Sequence, residues 1–204
     1  MSAPASMIYI VDDDPDVRDA VGFLVSSVGH LSRPYASAQT FLADLDDGTP
    51  ACAVIDVRLP GMSGLELQSE LHRRGATCAI IFISGHGDIP KAVRALRGGA
   101  LDFLEKPFDD QVLLDRIDEG LTQSREAVSR RQRQSDQSRR LQSLTERERE
   151  VLALVIAGKT NKAIALELSI AVKTVENHRH NLMTKAGATS LAQLIAWAGD
   201  PVDG

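Results

Sequence analysis

Long hydrophobic runs are absent from this 204-residue sequence, and cysteine and aromatic residues are scarce. No apolar stretch approaches the roughly 20 residues that a membrane-spanning helix needs, so we expect no membrane partner. The first residues have neither a basic start nor a long apolar core, so we expect no secretory signal and a cytoplasmic location. The only two cysteines, Cys52 and Cys78, lie inside apolar runs, and we predict reduced core thiols.

What the sequence does have is an uneven distribution of charge. Residues 1–121 carry 19 acidic and 10 basic side chains, a balance of −9, whereas residues 122–204 carry 9 and 13, a balance of +4. An acidic half suits a domain that binds a metal or a protein, and a basic half is the minimum expected of a segment that meets nucleic acid phosphates. We therefore expect two domains with different partners.

Residues 1–121 alternate short β-rich runs with helical stretches, and the first helix has Asp14 as its cap and Pro15 in its first turn. The β-rich runs lie at 8–11, 32–36, 51–56, 78–84 and 101–106. Near-continuous apolar strands alternating with helices indicate an α/β domain with a five-stranded parallel sheet covered on both faces. Of the few topologies that remain, we choose the flavodoxin-like order 2-1-3-4-5, a choice that rests partly on the resemblance described below.

Residues 122–143 have almost no apolar side chains, lack Pro and Gly, and are rich in Gln and Arg. They predict a solvated, helical linker rather than part of a core. Leu114, Leu121 and Val128 follow one another at seven-residue spacing, which leaves open either a short coiled coil or a helix packed on its own domain.

The last segment, 144–204, has the 3.6-residue period of helices throughout. Thr145 and Glu148 form a capping box before the first helix, and a three-residue turn at 169–171 separates the second helix from the third, 172–185. These features predict an all-α domain of four short helices that contains a helix-turn-helix.

Polar side chains stand where the strands of the predicted sheet end, and the carboxyl ends of parallel strands meet at one edge. They are Asp12, Asp13, Asp56, Ser84 and Lys106. Three uncompensated carboxylates would repel one another, so we expect Mg²⁺ among Asp12, Asp13 and Asp56. The second oxygen of Asp56 is then free to attack a phosphoryl group, while Lys106 and the Ser84 hydroxyl stabilise its oxygens. Any one of these residues alone would be interpreted as an ordinary surface or core residue. Their joint placement at one edge of the sheet argues against that interpretation.

At these positions the sequence resembles the receiver domains of two-component systems, through VDDDP (11–15), VIDVRLPGMSG (54–64), FISGHGD (82–88) and FLEKPF (103–108). The resemblance implies that a sensor histidine kinase phosphorylates Asp56. It also implies that the Arg58 carbonyl joins the metal ligands and that Ser84 and Phe103 form the switch. His86 lies beside the site, and we expect its role to be positional.

An Asp-based phosphatase of the haloacid dehalogenase type is the competing enzyme class. Such enzymes carry a second Asp two residues after the nucleophile, where this chain has Arg58, and their nucleophile follows the first strand rather than the third. We therefore predict that the chain is not a turnover enzyme, and that it catalyses only its own phosphorylation and dephosphorylation.

The third helix of the last segment has one polar side, opposite Val175 and Leu182. The candidate DNA contacts on this helix are Lys173, Thr174, Glu176, Asn177, His180, Thr184 and Lys185. Asn177 and His180 can bond base edges, Lys173, Lys185 and the helix N-terminus with Thr174 can bond phosphates, and Glu176 can either read cytosine or repel nonspecific DNA. A solvated face is the alternative for such a helix.

Residues 144–198 resemble the LuxR-type output domain, and the pairing with a receiver resembles response regulators of the NarL/FixJ class. That resemblance implies binding to promoter DNA, a last helix that helps dimerisation, and RNA polymerase as a candidate partner. We also expect phosphorylation to drive homodimerisation through the fourth helix and fifth strand, around Val93, Arg97 and Phe103. An RNA-binding or purely protein-binding output is the remaining alternative, but the sequence has no RNP-type aromatic pair and no RGG run.

Overall fold

A computed structural model of the chain describes residues 6–85 and 89–199. The predictions made for the first five residues and for His86 lie outside these ranges. Within them, every helix is too short or too polar to cross a bilayer. Both cysteines are free thiols, with Cys52 buried and Cys78 partly buried.

Five parallel strands form one sheet in the order β2-β1-β3-β4-β5, which confirms the predicted order 2-1-3-4-5. The strands are β1 (Met7–Val11), β2 (Leu31–Tyr35), β3 (Ala51–Asp56), β4 (Ala79–Ser84) and β5 (Asp102–Glu105). Every residue of β3 is buried, as expected for a central strand covered on both faces.

Helices cover both faces of the sheet. Successive strand residues point to opposite sides, so the buried strands present apolar side chains to helices on each face. They are α1 (Pro15–Ser27), α2 (Ala38–Asp44), α3 (Gly64–Arg73), α4 (Ile89–Arg97) and the first part of α5 (Asp110–Gln142). Ile10 and Val54 pack against α1 and α5, whereas Val11 and Ile55 pack against α2, α3 and α4. The Asp14 carboxylate caps α1 by accepting the Asp16 amide hydrogen bond at 2.9 Å, as the sequence predicts.

The chain divides into two compact units between Ser129 and Arg130, inside α5. In the first unit, Leu121 is fully buried in the core beneath α1 and Leu114 packs against that core. The seven-residue stripe is therefore, in this part of the helix, a face that packs on its own domain. The Ser124 hydroxyl accepts a hydrogen bond from the Ala51 amide at 2.9 Å.

The second unit contains the four predicted helices, which follow the last turns of α5. They are α6 (Glu146–Ile156), α7 (Asn161–Glu167), α8 (Val172–Ala186) and α9 (Leu191–Gly199). The Thr145 and Glu148 side chains form the predicted capping box at the start of α6. The C-cap of α8 is Gly187, with φ of 67°, a left-handed conformation that favours glycine. Val151, Ile164, Val175, Leu182 and Leu194 form the centre of the core.

Candidate functional site

One edge of the sheet carries the polar residues that the strand pattern predicted to meet there. Asp12 follows β1, Asp56 ends β3, Ser84 ends β4 and Lys106 follows β5. The main chain links two of these ends directly, because the Lys106 amide donates to the Ser84 carbonyl at 2.8 Å. Asp12, Asp56 and Ser84 are all buried polar residues.

The Lys106 ammonium bridges two of the carboxylates. Its Nζ lies 2.7 Å from Oδ2 of Asp12 and 3.0 Å from Oδ1 of Asp56. Burial raises the pKa of the Asp56 carboxyl, and the bonds from Lys106 and the Arg58 amide only partly offset this. Burial lowers the pKa of Lys106, but the two carboxylates outweigh that effect and leave its pKa above the ordinary value.

Backbone groups fix the remaining oxygens of the two carboxylates. The Arg58 amide donates to Oδ2 of Asp56, and the Asp14 amide donates to Oδ1 of Asp12 at 2.9 Å. The Arg18 guanidinium donates to the main-chain carbonyl of Asp12 at 2.7 Å. We did not predict Arg18 from the sequence; its place one turn into α1, six residues after Asp12, was the available signal.

Two other predicted residues lie at the same edge with different surroundings. Asp13 is exposed and, within the described ranges, has no hydrogen bond or ion pair from its side chain. Phe103 is partly buried on β5, with its ring centroid 6.4 Å from that of Phe82. The described residues contain no cluster of three acidic, His or Cys side chains already arranged around a common point for a metal. The side chains of Asp12 and Asp56 both contact Lys106.

In the second unit, α8 places its apolar and polar sides as the helical wheel predicted. Val175 and Leu182 are fully buried. The exposed residues among the candidate contacts are Lys173, Glu176, Asn177, His180 and Thr184, while Thr174 is partly buried. Lys173 and Glu176 form an ion pair with a 3.1 Å separation.

We expected Lys185 to contact phosphate, and the structure shows that its side chain already has partners inside the second unit. Its Nζ lies 2.6 Å from Oε2 of Glu148 and 3.0 Å from the Ser143 carbonyl. Glu148 is 3% exposed, so Lys185 neutralises a buried charge inside its own domain. Burial acts to raise the pKa of Glu148, but the bonds from Lys185 and Thr145 outweigh it and hold the pKa below the ordinary value. The wheel of α8 alone could not reveal this partner on α6.

Two protein families match the chain, one in each unit. Residues 8–118 match the response regulator receiver domain, and residues 142–198 match the luxR family of bacterial regulatory proteins. The matches cover both the acidic edge of the sheet and α8.

Relatives match the two units together. The response regulator protein TodT of Pseudomonas putida is 44% identical over 195 residues, which cover 96% of this chain and 86% of TodT. The transcriptional regulatory protein FixJ of Azorhizobium caulinodans is 44% identical over 194 residues, 94% of this chain and 90% of FixJ. A low-resolution structure of the response regulator StyR is 43% identical, with a TM-score of 0.89, over 98% of this chain and all of that one. The chain therefore belongs to the response regulators of the NarL/FixJ class, in which a receiver domain is joined to a LuxR-type helix-turn-helix domain.

Proposed function

We propose that this chain accepts a phosphoryl group on Asp56 from a sensor histidine kinase and, in response, regulates transcription by binding promoter DNA through α8. The observation that carries the first half is the Lys106 ammonium held between the buried carboxylates of Asp12 and Asp56. In this proposal, residues 1–121 are the receiver, 122–143 the linker and 144–204 the DNA-binding domain.

The chemistry of the receiver follows from the side chains around Asp56. An Asp56 carboxylate oxygen attacks the phosphorus of a phosphohistidine, the P–N bond breaks, and the histidine leaves as an aspartyl phosphate forms. Lys106 then neutralises phosphoryl oxygens, and the Ser84 hydroxyl donates to one of them. Water can later cleave the same acyl phosphate, so the domain turns over only its own phosphoryl group.

The donor set at this edge suits Mg²⁺. Asp12, Asp13, Asp56 and the Arg58 carbonyl all offer the hard oxygen atoms that this ion prefers. Two buried carboxylates share the single ammonium of Lys106, which leaves an excess negative charge, and Asp13 adds exposed oxygens. When bound, the ion would neutralise charge on the transferred phosphoryl group.

Labelling with acetyl phosphate tests the phosphoacceptor. Asp56→Asn should abolish labelling of the full chain, whereas Asp19→Asn, which changes an exposed carboxyl on α1, should label like wild type. Excess chelator should also suppress labelling of wild type. Stoichiometric, Mg²⁺-dependent labelling of the Asp56→Asn protein would refute the assignment.

A groove beside the site supports the kinase as partner. It has a volume of about 550 Å³ and lies between α1 and the segment that follows β5. Phe23 on its wall is 80% exposed, and the groove also reaches Lys106 and Phe108. An apolar surface next to the buried Asp56 carboxyl suits the docking of a kinase, because the kinase must bring its phosphohistidine to Asp56.

An apolar stripe on α4 supports phosphorylation-driven homodimerisation. Ile89, Val93 and Leu96 are exposed at spacings of four and three residues, and Phe103 on the neighbouring β5 connects this face to the site. Ser84 moving toward the phosphoryl group, with Phe103 turning inward, would bias this surface between two states. Light scattering should show a mass increase on phosphorylation that Val93→Asp removes and Val28→Asp does not. Equal masses with and without phosphorylation would remove this mechanism.

The exposed face of α8 supports the DNA-binding half of the proposal. Asn177 and His180 would meet base edges in the major groove, while Lys173 and the helix N-terminus near Thr174 would meet phosphates. Exposed Leu191 and Ile195 on α9, four residues apart, suit a second dimer contact on DNA. We further propose RNA polymerase as a partner, because the protein regulates transcription. We propose the cytoplasm as its location, because that is where it would meet promoter DNA.

A salt series separates these contacts, using one duplex selected from random sequences by the wild-type protein (the specific duplex) and one scrambled version of it. Asn177→Ala or His180→Ala should cost about 1–3 kcal/mol on the specific duplex and little on the scrambled one. Lys173→Ala should weaken both and reduce the slope of log affinity against log salt by about one unit. If Asn177→Ala and His180→Ala bind both duplexes like wild type, α8 does not read bases through this face.

A further inference from the structure

The last turns of α5 contact the ends of two helices in the second unit. The Arg140 guanidinium donates to the Ala186 carbonyl at 2.9 Å, at the C-terminal end of α8. The Gln137 side-chain amide donates to the Trp197 carbonyl near the end of α9. Leu141 packs on the core of the same unit. Because these residues are spaced three and four apart, they share one face of α5.

The Ala186 carbonyl is a group that needs a donor. The last four carbonyls of a helix have no partner inside the helix and carry the negative end of its dipole. The Gly187 and Ala188 amides bond carbonyls of Thr184 and Met183, earlier in the last turn of α8. The guanidinium therefore satisfies Ala186 from outside the helix, with a charge of the favourable sign.

Gly187 leaves the space that this contact needs. A Cβ atom at Gly187 would lie 2.9 Å from Nη1 of Arg140, whereas one at Gly158, which has a similar positive φ, would meet nothing within 4 Å. Arg140 and Gln137 also precede residue 142, where the match to the luxR family begins.

We propose that the end of the linker is a working part of the DNA-binding unit, with Arg140 as a positioning residue that holds the C-terminal end of α8. This inference rests on the proposed reading of DNA by α8. Lys173 and Ala186 are separated by about 20 Å of helix, at 1.5 Å per residue. Arg140 thus orients the helix from the end opposite to the proposed phosphate contacts.

Variants of the full chain test this role, with Arg139→Ala as the matched control. Arg139 is the adjacent arginine and its side chain contacts Ser135 and Asp136 of its own helix. Arg140→Ala should weaken binding to the specific duplex roughly five- to tenfold and lower the ratio of specific to nonspecific affinity, with the same salt slope as Arg139→Ala. Arg140→Lys, which retains a cationic donor, should restore most of the loss.

Hydrogen exchange of residues 182–188 gives a readout that does not depend on DNA. Arg140→Ala should accelerate exchange in this last turn of α8, and Arg139→Ala should not. If wild type fails to distinguish the duplexes while Arg140→Ala still loosens the turn, the DNA proposal fails but the helix contact stands. If Arg140→Ala matches Arg139→Ala in both measurements, or changes only the salt slope, Arg140 is not a positioning residue.

A double-mutant cycle provides the second test. Gly187→Ala and Gly158→Ala carry the same kind of backbone strain, but only the first places a methyl group against Arg140. Gly187→Ala should therefore impair specific DNA binding more than Gly158→Ala does, and part of that excess should disappear in the Arg140→Ala background. An excess that is unchanged by Arg140→Ala would contradict the proposed contact.

Discussion

Nζ of Lys106 lies 3.0 Å from Oδ1 of Asp56, although the two residues are 50 positions apart in the chain. The same ammonium contacts Asp12, so one cation serves two buried carboxylates. Lys106 thereby lowers the pKa of Asp56, but burial has the larger effect and the net change is upward. Because folding raises the pKa of Asp56, ionising this carboxyl costs more free energy in the folded chain than in the unfolded one.

Replacing Asp56 should therefore stabilise the first unit at neutral pH. A carboxyl whose pKa is raised by folding contributes stability that is complete below its unfolded value of 3.8 and is lost as pH rises through the folded value. Asp56→Asn should therefore raise the Tm of the first unit at pH 7, by a few degrees if about 1 kcal/mol is regained. Calorimetry of the full chain should show the difference shrinking toward acid pH. A lower Tm at pH 7 than that of Asp19→Asn would contradict this.

The exposed carboxyl of Asp13 should contribute to Mg²⁺ binding but not to the free energy of unfolding. Asp13→Asn removes one proposed oxygen ligand from a side chain that has no hydrogen bond or ion pair within the described ranges. We expect the Mg²⁺ concentration that gives half-maximal labelling to rise about tenfold, equivalent to roughly 1.4 kcal/mol, with Tm unchanged. Asp16→Asn, also exposed, is the control. Unchanged Mg²⁺ dependence would remove Asp13 from the ligand set.

The buried pair of Glu148 and Lys185 should control the stability of the second unit. Glu148→Gln keeps an oxygen for the capping box but leaves Lys185 without its charged partner, at a cost of about 1.5–3 kcal/mol. Trp197, the single tryptophan of the chain, lies in this unit, so its fluorescence should report the unfolding. Glu150→Gln, which breaks an exposed pair with Arg147, should cost far less.

The pH dependence of that pair follows from the direction in which folding shifts the pKa of Glu148. Folding lowers the pKa of Glu148, so its contribution is present above the ordinary value of 4.5 and is lost as pH falls through the folded value. The difference between wild type and Glu148→Gln should therefore shrink in acid. A constant difference from pH 7 down to pH 3 would show that packing, and not charge, causes the loss.

Sequence periodicity predicts much of this molecule because the signals are local. Continuous apolar runs identify the buried strands, and the residue that ends each strand is then known to lie at the sheet edge, as with Asp56 and Ser84. The capping box of Thr145 and Glu148 marks the start of α6 in the same way. Each of these patterns needs only a few neighbouring residues.

Contacts between distant segments could not be predicted in this way. A helical wheel shows which way Lys185 points from the axis of α8, but it does not show that Glu148 of α6 lies opposite. The contact of Arg140 with α8 could not be predicted either, because the linker contains several arginines and its composition indicates only that they are solvated. The helix that contains Arg140 continues past the predicted receiver boundary at residue 121, because linker residues such as Ser124 pack in the first unit and others such as Leu141 pack in the second.

The ion pair of Lys173 and Glu176 leads to a prediction about DNA specificity. Their side chains are 3.1 Å apart and largely exposed. Glu176 therefore neutralises the charge of Lys173 and would also repel DNA phosphates. Glu176→Gln should therefore increase affinity for a scrambled duplex about three- to tenfold and steepen the salt dependence by up to about one unit. Glu119→Gln, which breaks the exposed Arg116 pair in the first unit, should change neither.

The specific duplex separates two roles for Glu176. If its carboxylate accepts a hydrogen bond from a cytosine amino group, Glu176→Gln should lose about 1–3 kcal/mol on that duplex while gaining on the scrambled one. If Glu176 only repels DNA, affinity should rise on both duplexes by similar factors. Fluorescence anisotropy at several salt concentrations distinguishes these results. Unchanged affinity for both duplexes would show that this face of α8 does not meet DNA.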